Sequence, residues 1–550
     1  MITYQISAPA PHAHRFEVVI TAQNLTLNQQ TLYLPAWLPG SYTIRNFARH
    51  IERLSAIADG IPATLTQLDK DTWLLGTPDC AHHVVKQVTI CYHVHAFDTS
   101  VRGAFLNLDR GFFNASSLCM ALTGHEDAPC GLQLDTPQGW EVVTSLPAKC
   151  TNYRHLIDHP VELAPCGTLK TVHWHSHNIP HQLTLTGAPA DFDPTQLLTD
   201  CQKITDAHLG TWGAPADLKQ FLFLLNVTQD GYGGLEHRNS TALQCARRDL
   251  IVGSDDYVKL LGLISHEYFH LWLVKRIRPQ AVAQADLRRA AHFRDLWLYE
   301  GVTSYYDDLM LLRAGVISVA TYLTQVANTA SRYQKTRGRQ AQSLTDSSFN
   351  AWTKLYHPSA HSPNVELSYY VKGALVACLL DLSLREHGHT LDVLIHRLWQ
   401  QFGQHDTPIA DGIPRQLLCE LGVAPDLLNT WLDGVDELPL TAMLAHVGVT
   451  ASCSAAAKHP HLGAVIHNNG SLHTVWDHGS AQAAGLQTGD VLISLDGCVI
   501  KTVAHLTEVL QTHTAGEVLT VQYQRDGRLR QTQITLAAAP QDTWTFTLNE

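Results

Sequence analysis

The 550-residue sequence is defined first by what it is short of. No apolar run approaches the ~18–20 residues that cross a bilayer. The strongest runs, FLFLLNV (221–227) and ALVACLLDL (374–382), are the size of core segments, so no membrane partner is expected. The opening MITYQISAPAPHAHRFEV lacks the basic start, apolar core and small-residue cleavage site of a secretory signal. None of the 12 cysteines stands in a CxxC pair. Scattered between Cys80 and Cys498, they read as free thiols and point to a cytoplasmic location. An excess of basic charge is missing too. Thirty-eight Lys and Arg face 50 Asp and Glu, a net charge of −12, which argues against a nucleic-acid partner. With 45% hydrophobic residues and no low-complexity tract, the chain is globular, and its length allows several domains of about 100–200 residues. Only histidine is over-supplied, at 33.

Texture divides the chain in three. Residues 1–170 are strand-like: FEVVITAQN, TLYLPAW, VVKQVTICYHVHAF and WEVVTSL carry β-branched and aromatic residues between Pro and Gly breaks. Residues 171–450 open with the strand-like TVHWHSH and a strong strand, QFLFLLNVT. Helical periods then follow over about 255–276, 287–314, 318–336, 365–387 and 390–403. Residues 451–550 return to short strands (GAVIHN, DVLISLDG, VLTVQYQRDG, QTQITLAA) with one helix, AHLTEVLQTH.

The chemistry gathers at Ser265-His266-Glu267-Tyr268-Phe269-His270, an HExxH motif. On a helix, positions four apart share a face, so His266 and His270 can present two imidazoles to one cation. Ser254 followed by Asp255 and Asp256 makes a credible helix start. In so His-rich a chain about 0.05 such motifs arise by chance, so the motif needs company. A catalytic zinc takes a third protein ligand and keeps one position open. Glu300, in LWLYEGVTSYY (296–306), is the best candidate, because a carboxylate among Trp, Leu, Tyr and Val needs a cation or another partner. Glu267, beside the metal without ligating it, is placed to act as general base toward an activated water.

Four segments resemble the glycyl aminopeptidase family of zinc peptidases, whose catalytic domain is thermolysin-like and related to the aminopeptidase N family. HEYFHLWLVKRIRP (266–279) resembles the zinc helix, LWLYEGVTSYY the third-ligand helix, and LPAWLPGSYTIRNFARHI (34–51) the amino-terminal β domain. The last hundred residues resemble a PDZ domain. The resemblance implies a multidomain fold: an all-β domain, a thermolysin-like α+β zinc peptidase domain with a helical continuation, and a PDZ-like β/α domain. The 29 residues between His270 and Glu300 exceed the aminopeptidase N spacing, and the extra segment RPQAVAQADLRRAAH is expected as a loop near the site.

By the same resemblance GYGGLEHRNS (231–240) matches the exopeptidase signature. It implies that Glu236 holds the substrate's α-ammonium while Gly233 and Gly234 contact its backbone; His237 stands where relatives place Asn. Tyr370 of YVKG (370–373) matches the segment that supplies a transition-state hydrogen bond, with Tyr369 the competing choice. In the PDZ-like module Leu462, Gly463, Ala464 and Val465 form the carboxylate loop, with Ala464 and Val465 replacing the more common Gly and aromatic. The expected activity is zinc-dependent removal of small N-terminal residues such as Gly or Ala, with one Zn2+ per chain. The implied partners are peptides with a free N-terminus and, at the PDZ loop, peptide C-termini. Two other readings are a zinc endopeptidase with a structural Glu236, and a PDZ-type scaffold with a degenerate peptidase domain.

The remaining clusters have plainer readings. His173, His175 and His177 alternate on a strand and read as surface residues, as do His82-His83, His93/His95 and His387/His389. Lys275, Arg276 and Arg278 follow the HExxH helix and read first as complements to its dipole, second as a substrate-carboxylate site.

Overall fold

Alternation builds the amino-terminal part. Along Arg15–Thr26 the side chains of Phe16, Val18, Ile20 and Ala22 are buried and those between them are not. That strand pairs with Ile2–Ser7 on one side and Val84–His95 on the other, near one end of a nine-stranded sheet. A four-stranded sheet follows, in the order Trp140–Thr144, Pro160–Pro165, Gly111–Asn114, Ala104–Leu106. In this computed structural model residues 2–77 and 84–549 are described, and the His82-His83 pair falls outside them.

Lys170–Ser176 is the first strand of a separate five-stranded sheet, in the order Lys170–Ser176, Ile179–Thr186, Phe221–Thr228, Ser240–Ala246, Gly233–His237. The apolar QFLFLLNVT strand is central and parallel to both neighbours, so it is apolar on both faces, as a strand covered on both sides must be. Gly233–His237 is an edge. His173 and His175 point to solvent while Trp174 is buried beneath them.

The chain forms two compact units. One comprises Met1–Phe293, Tyr306–Ile317 and Ile395–Asp411; the other comprises Arg294–Tyr305, Ser318–Leu394 and Gly412–Glu550. In the second, helices Val319–Lys335 and Tyr369–Glu386 precede the PDZ-like module. The stretch 362–386 contains an 18-residue window apolar enough to cross a membrane, yet 83% of that window is buried in protein, as in a core helix. The module has a ribbon of Ala464–Ile466 and Leu472–Val475, and a sheet in the order Cys498–Val499, Val491–Leu495, Val518–Arg525, Arg528–Thr535. The helix Val503–Gln511 closes a core of Leu462, Leu472, Leu492, Leu506, Val521 and Ile534. Arg337 Nη1 donates to Asp477 O at 2.7 Å, and Asn364 Nδ2 to Val475 O at 2.9 Å, which ties the module to the helices of its own unit. The architecture is the expected one: a β domain, a peptidase-like α+β part with helices, and a PDZ-like β/α end.

Two helix boundaries differ from the sequence reading. The HExxH helix runs Asp255–Phe269 rather than to 276. Beyond it Val274 takes φ +71°, and Arg276 is buried, donating through Nη1 to Leu271 O at 2.8 Å. The helix expected from 287 begins at Trp297. Before it, backbone groups serve the amino-terminal motif: Ala36 N donates to Leu287 O at 2.8 Å and Trp37 Nε1 to Arg289 O at 2.8 Å. The expected loop therefore carries one short helix, Gln280–Ala283, and braces LPAWLPG.

Candidate functional site

The HExxH helix starts where Tyr257 N donates to Ser254 Oγ at 3.0 Å, with Asp255 and Asp256 in its first turn. Its back is sealed by polar pairs inside an aromatic core. His208 Nε2 meets Ser265 Oγ at 3.0 Å, Ser265 Oγ donates to Asp307 O at 2.9 Å, and Tyr268 OH meets His181 Nε2 at 2.8 Å. Burial pulls His208 down to about 3 and His181 to about 4, so both are neutral core histidines.

The front carries the motif. His270 caps the helix with near-helical angles (φ −61°, ψ −11°), so it still shares a face with His266, and their ring centroids lie 4.8 Å apart. His266 Nδ1 is 3.1 Å from Asp307 Oδ2, leaving Nε2 as the ring's other nitrogen. Asp307 was not singled out in the sequence, although it stands seven residues after Glu300.

The edge strand supplies the opposite wall. Gly234 and Glu236 share a face, and a Cβ on Gly234 would overlap the Glu267 carboxylate. Glu236, Glu267 and His270 are all buried, and each offers a donor atom within 4.8 Å of the others. Gly40, with φ +102°, completes this wall: a Cβ there would lie 2.5 Å from Glu236 Oε1. The LPAWLPG motif thus reaches Glu236 from the β domain. Two desolvated carboxylates this close repel unless a positive charge stands with them. Imidazole and carboxylate donors suit zinc, so the residues present fit that ion.

The basic cluster after the helix is structural. Lys275 pairs with Asp158 at 2.9 Å, Arg276 with Asp217 at 3.0 Å, and Arg278 with Asp406 at 3.1 Å. With each cation already matched to a carboxylate, the substrate-carboxylate reading of this cluster fails.

In the second unit Glu300 is 3% exposed, within the π-helical turn Trp297–Val302. That turn crosses the Tyr369–Glu386 helix at two glycines, and a Cβ on Gly301 would lie 2.6 Å from Gly373 Cα. Close backbone approach brings the Glu300 charge to bear on Tyr369, whose phenol is kept protonated by burial first, then by Tyr356, Tyr370 and Glu300. Tyr356 OH meets Tyr369 OH at 2.8 Å and Tyr370 OH at 3.0 Å. Tyr369 is fully buried and Tyr370 is part-exposed. Lys372, also buried, donates to Gly434 O at 2.9 Å, and burial lowers it to about 8.

In the PDZ-like loop Leu462 is a core residue, and Gly463 takes φ +75°, where a Cβ would lie 2.8 Å from Ser480 N. Gly463 N donates to His461 Nδ1 at 2.8 Å, so this N–H is engaged. Ala464 and Val465 begin the ribbon strand and line a cavity of about 600 Å³ together with Lys335, Arg337 and Trp476.

Three families match successive stretches: the peptidase M61 N-terminal domain over residues 3–165, the M61 glycyl aminopeptidase over 259–376, and the PDZ domain over 447–536. An aminopeptidase N family protein from Idiomarina loihiensis, of solved structure, is 34% identical with a TM-score of 0.92. The match covers 100% of this chain and 98% of that one. More distant are an M1 zinc metallopeptidase from Deinococcus radiodurans (12% identity, 80% of this chain and 94% of that one, TM-score 0.48) and yeast LTA4 hydrolase in complex with bestatin (13%, 80% and 68%, 0.49). No curated protein matches the sequence. On the three family matches and the 34% identical relative, the chain belongs to the M61 glycyl aminopeptidase family of metallopeptidases, with a PDZ domain at its carboxyl end.

Proposed function

We propose that the protein is a zinc-dependent aminopeptidase that removes small N-terminal residues, Gly or Ala, from peptides. One observation carries the reading: Glu236, Glu267 and His270 are buried with donor atoms within 4.8 Å of one another, between the HExxH helix and an edge strand. His266, His270 and Glu300 would hold one zinc per chain. Support for Glu300 comes from its burial in the apolar turn Trp297–Val302, where a carboxylate needs a cation or another partner. Bound there, zinc would supply Lewis acidity toward a water and the scissile carbonyl.

The chain's own groups do the rest. Glu267 accepts the attacking water's proton on a carboxylate oxygen and delivers it to the leaving amine. Glu236 pairs with the substrate's α-ammonium. Gly40 lies against that carboxylate, and a side chain in its place would displace the Glu236 group that the exopeptidase reading needs. Gly233 and Gly234 keep the strand clear of side chains beside the substrate backbone. The Tyr370 hydroxyl donates to the oxygen that gains charge; its exposure favours it over buried Tyr369.

The PDZ domain is proposed to take peptide C-termini at Leu462–Val465, supported by the cavity that Lys335 and Arg337 make basic. A cytoplasmic location belongs to the proposal, supported by twelve scattered cysteines without a CxxC pair. The test is chelation and repletion: dialysis against a chelator should abolish cleavage of an alanyl anilide, and one equivalent of zinc should restore it. Glu267→Gln should bind the same equivalent without turnover. Full activity of chelated protein would overturn the metal reading, and a near-normal Glu267→Gln rate would remove the base.

A further inference from the structure

Arg102 reaches the edge strand from a turn of the β domain. Its Nη2 donates to Gly234 O at 2.8 Å, and a Cβ on Gly233 would meet its Nη1 at 3.4 Å. Among the described residues no carboxylate pairs with this guanidinium, unlike Lys275, Arg276 and Arg278. Arginine carries five N–H donors, and the strand carbonyl engages one group of them.

The turn that carries Arg102 is built to stay in place. Ser100 N donates to Asp98 Oδ1 at 2.9 Å and Arg102 N to Ser100 Oγ at 3.2 Å. Gln244 Nε2 donates to Thr99 O at 3.1 Å, which ties the turn to the strand beside the edge. Asn114 Nδ2 donates to Val101 O at 2.9 Å, and His237 Nε2 donates to Asn114 Oδ1 at 2.9 Å. His237, which stands where relatives place Asn, is thus the anchor that closes a circuit from the strand through Asn114 to Arg102 and back to Gly234. Burial pulls His237 down to about 3, so the anchor carries no charge of its own near neutral pH.

We infer that Arg102 binds the C-terminal carboxylate of the substrate, and that the enzyme acts on peptides of two or three residues with both ends free. This rests on Glu236 holding the α-ammonium. A peptide lying antiparallel along the edge strand, its amine at Glu236, runs toward Gly234 and Gly233. Strand rise puts Gly234 about 7 Å from Glu236, and the Arg102 guanidinium lies at and just beyond that point. The carboxylate of a second or third residue reaches it; a longer peptide puts an uncharged amide there instead. A planar guanidinium held by a carbonyl is preset for two-point carboxylate binding.

The test compares Ala-Gly-Gly, its C-terminal amide, Ala-Gly-Gly-Gly-Gly-Gly and N-acetyl-Ala-Gly-Gly on the full-length zinc enzyme. A hydrogen bond to a charged group predicts kcat/KM about ten- to hundredfold higher for the free tripeptide than for its amide or the hexapeptide, mostly through KM. Arg102→Met should bring the acid-to-amide ratio to about one, and Arg102→Lys should keep part of it. Equal wild-type rates on acid and amide, or an unchanged ratio in Arg102→Met, would overturn the inference. Cleavage of the N-acetyl peptide at the rate of the free one would instead strike the Glu236 reading on which it rests.

Discussion

Asp307 Oδ2 lies 3.1 Å from His266 Nδ1, and this contact decides which imidazole nitrogen is left for a cation. A partner of that kind fixes ring orientation and raises the basicity of the ligating nitrogen. Asp307→Asn should therefore weaken zinc binding about 10- to 100-fold, as measured by competition with a chromogenic chelator. An unchanged affinity would make Asp307 an ordinary buried acid.

Gly234 is expected to be essential for a reason other than backbone freedom. The atoms nearest a Cβ there are Oε1, Cδ and Cγ of Glu267, a side chain that can move, so Gly234→Ala can fold by displacing it. Turnover should fall by about 10²-fold or more, the scale of a lost general base, while the melting temperature moves by only a few degrees. Retained turnover would show that Glu267 does not act from its observed position.

Under the proposed function the three tyrosines are expected to separate by role. Tyr370→Phe should lower kcat about 10²–10³-fold with little change in KM, as loss of a transition-state donor does. Tyr356→Phe removes only the hydroxyl that positions Tyr370, so a smaller loss of kcat is expected. A Tyr369→Phe effect larger than that of Tyr370→Phe would reverse the assignment.

Lys372 gives a pH signature. Burial lowers it from the usual 10.5 to about 8, so between these values the unfolded chain holds the proton that the folded chain has lost. Stability then rises with pH across that window, and the contribution is lost as pH falls through about 8. Denaturant unfolding of wild type and Lys372→Met between pH 7.5 and 10 should show wild type gaining relative to the variant as pH rises. A difference independent of pH would contradict this.

Local chemistry was legible in the sequence because it is local. His266, Glu267 and His270 announce themselves through helical spacing, and Glu236 through the glycines before it. Asp307, seven residues beyond Glu300, could have been found as the next acid along the chain. Gly40, Arg102 and Asn114 could not: the β domain brings them to residues more than a hundred positions away, and nothing in their neighbourhoods encodes that. Helix ends failed for a related reason. The 255–276 period breaks where Val274 turns left-handed and the buried Arg276 pairs with Asp217, and in 287–296 the Leu287 and Arg289 carbonyls accept from Ala36 N and Trp37 Nε1.

The central claim is that Glu236 reads a free amino terminus beside Glu267. It is tested most directly by kcat/KM for alanyl p-nitroanilide and its N-acetyl twin, in wild type and Glu236→Gln. Wild type should cleave the free amine at least 10³-fold better, as a site built around a buried charge rejects a substrate lacking its partner, and Glu236→Gln should collapse that ratio. Comparable wild-type rates on both substrates, or an undiminished ratio in Glu236→Gln, would contradict it.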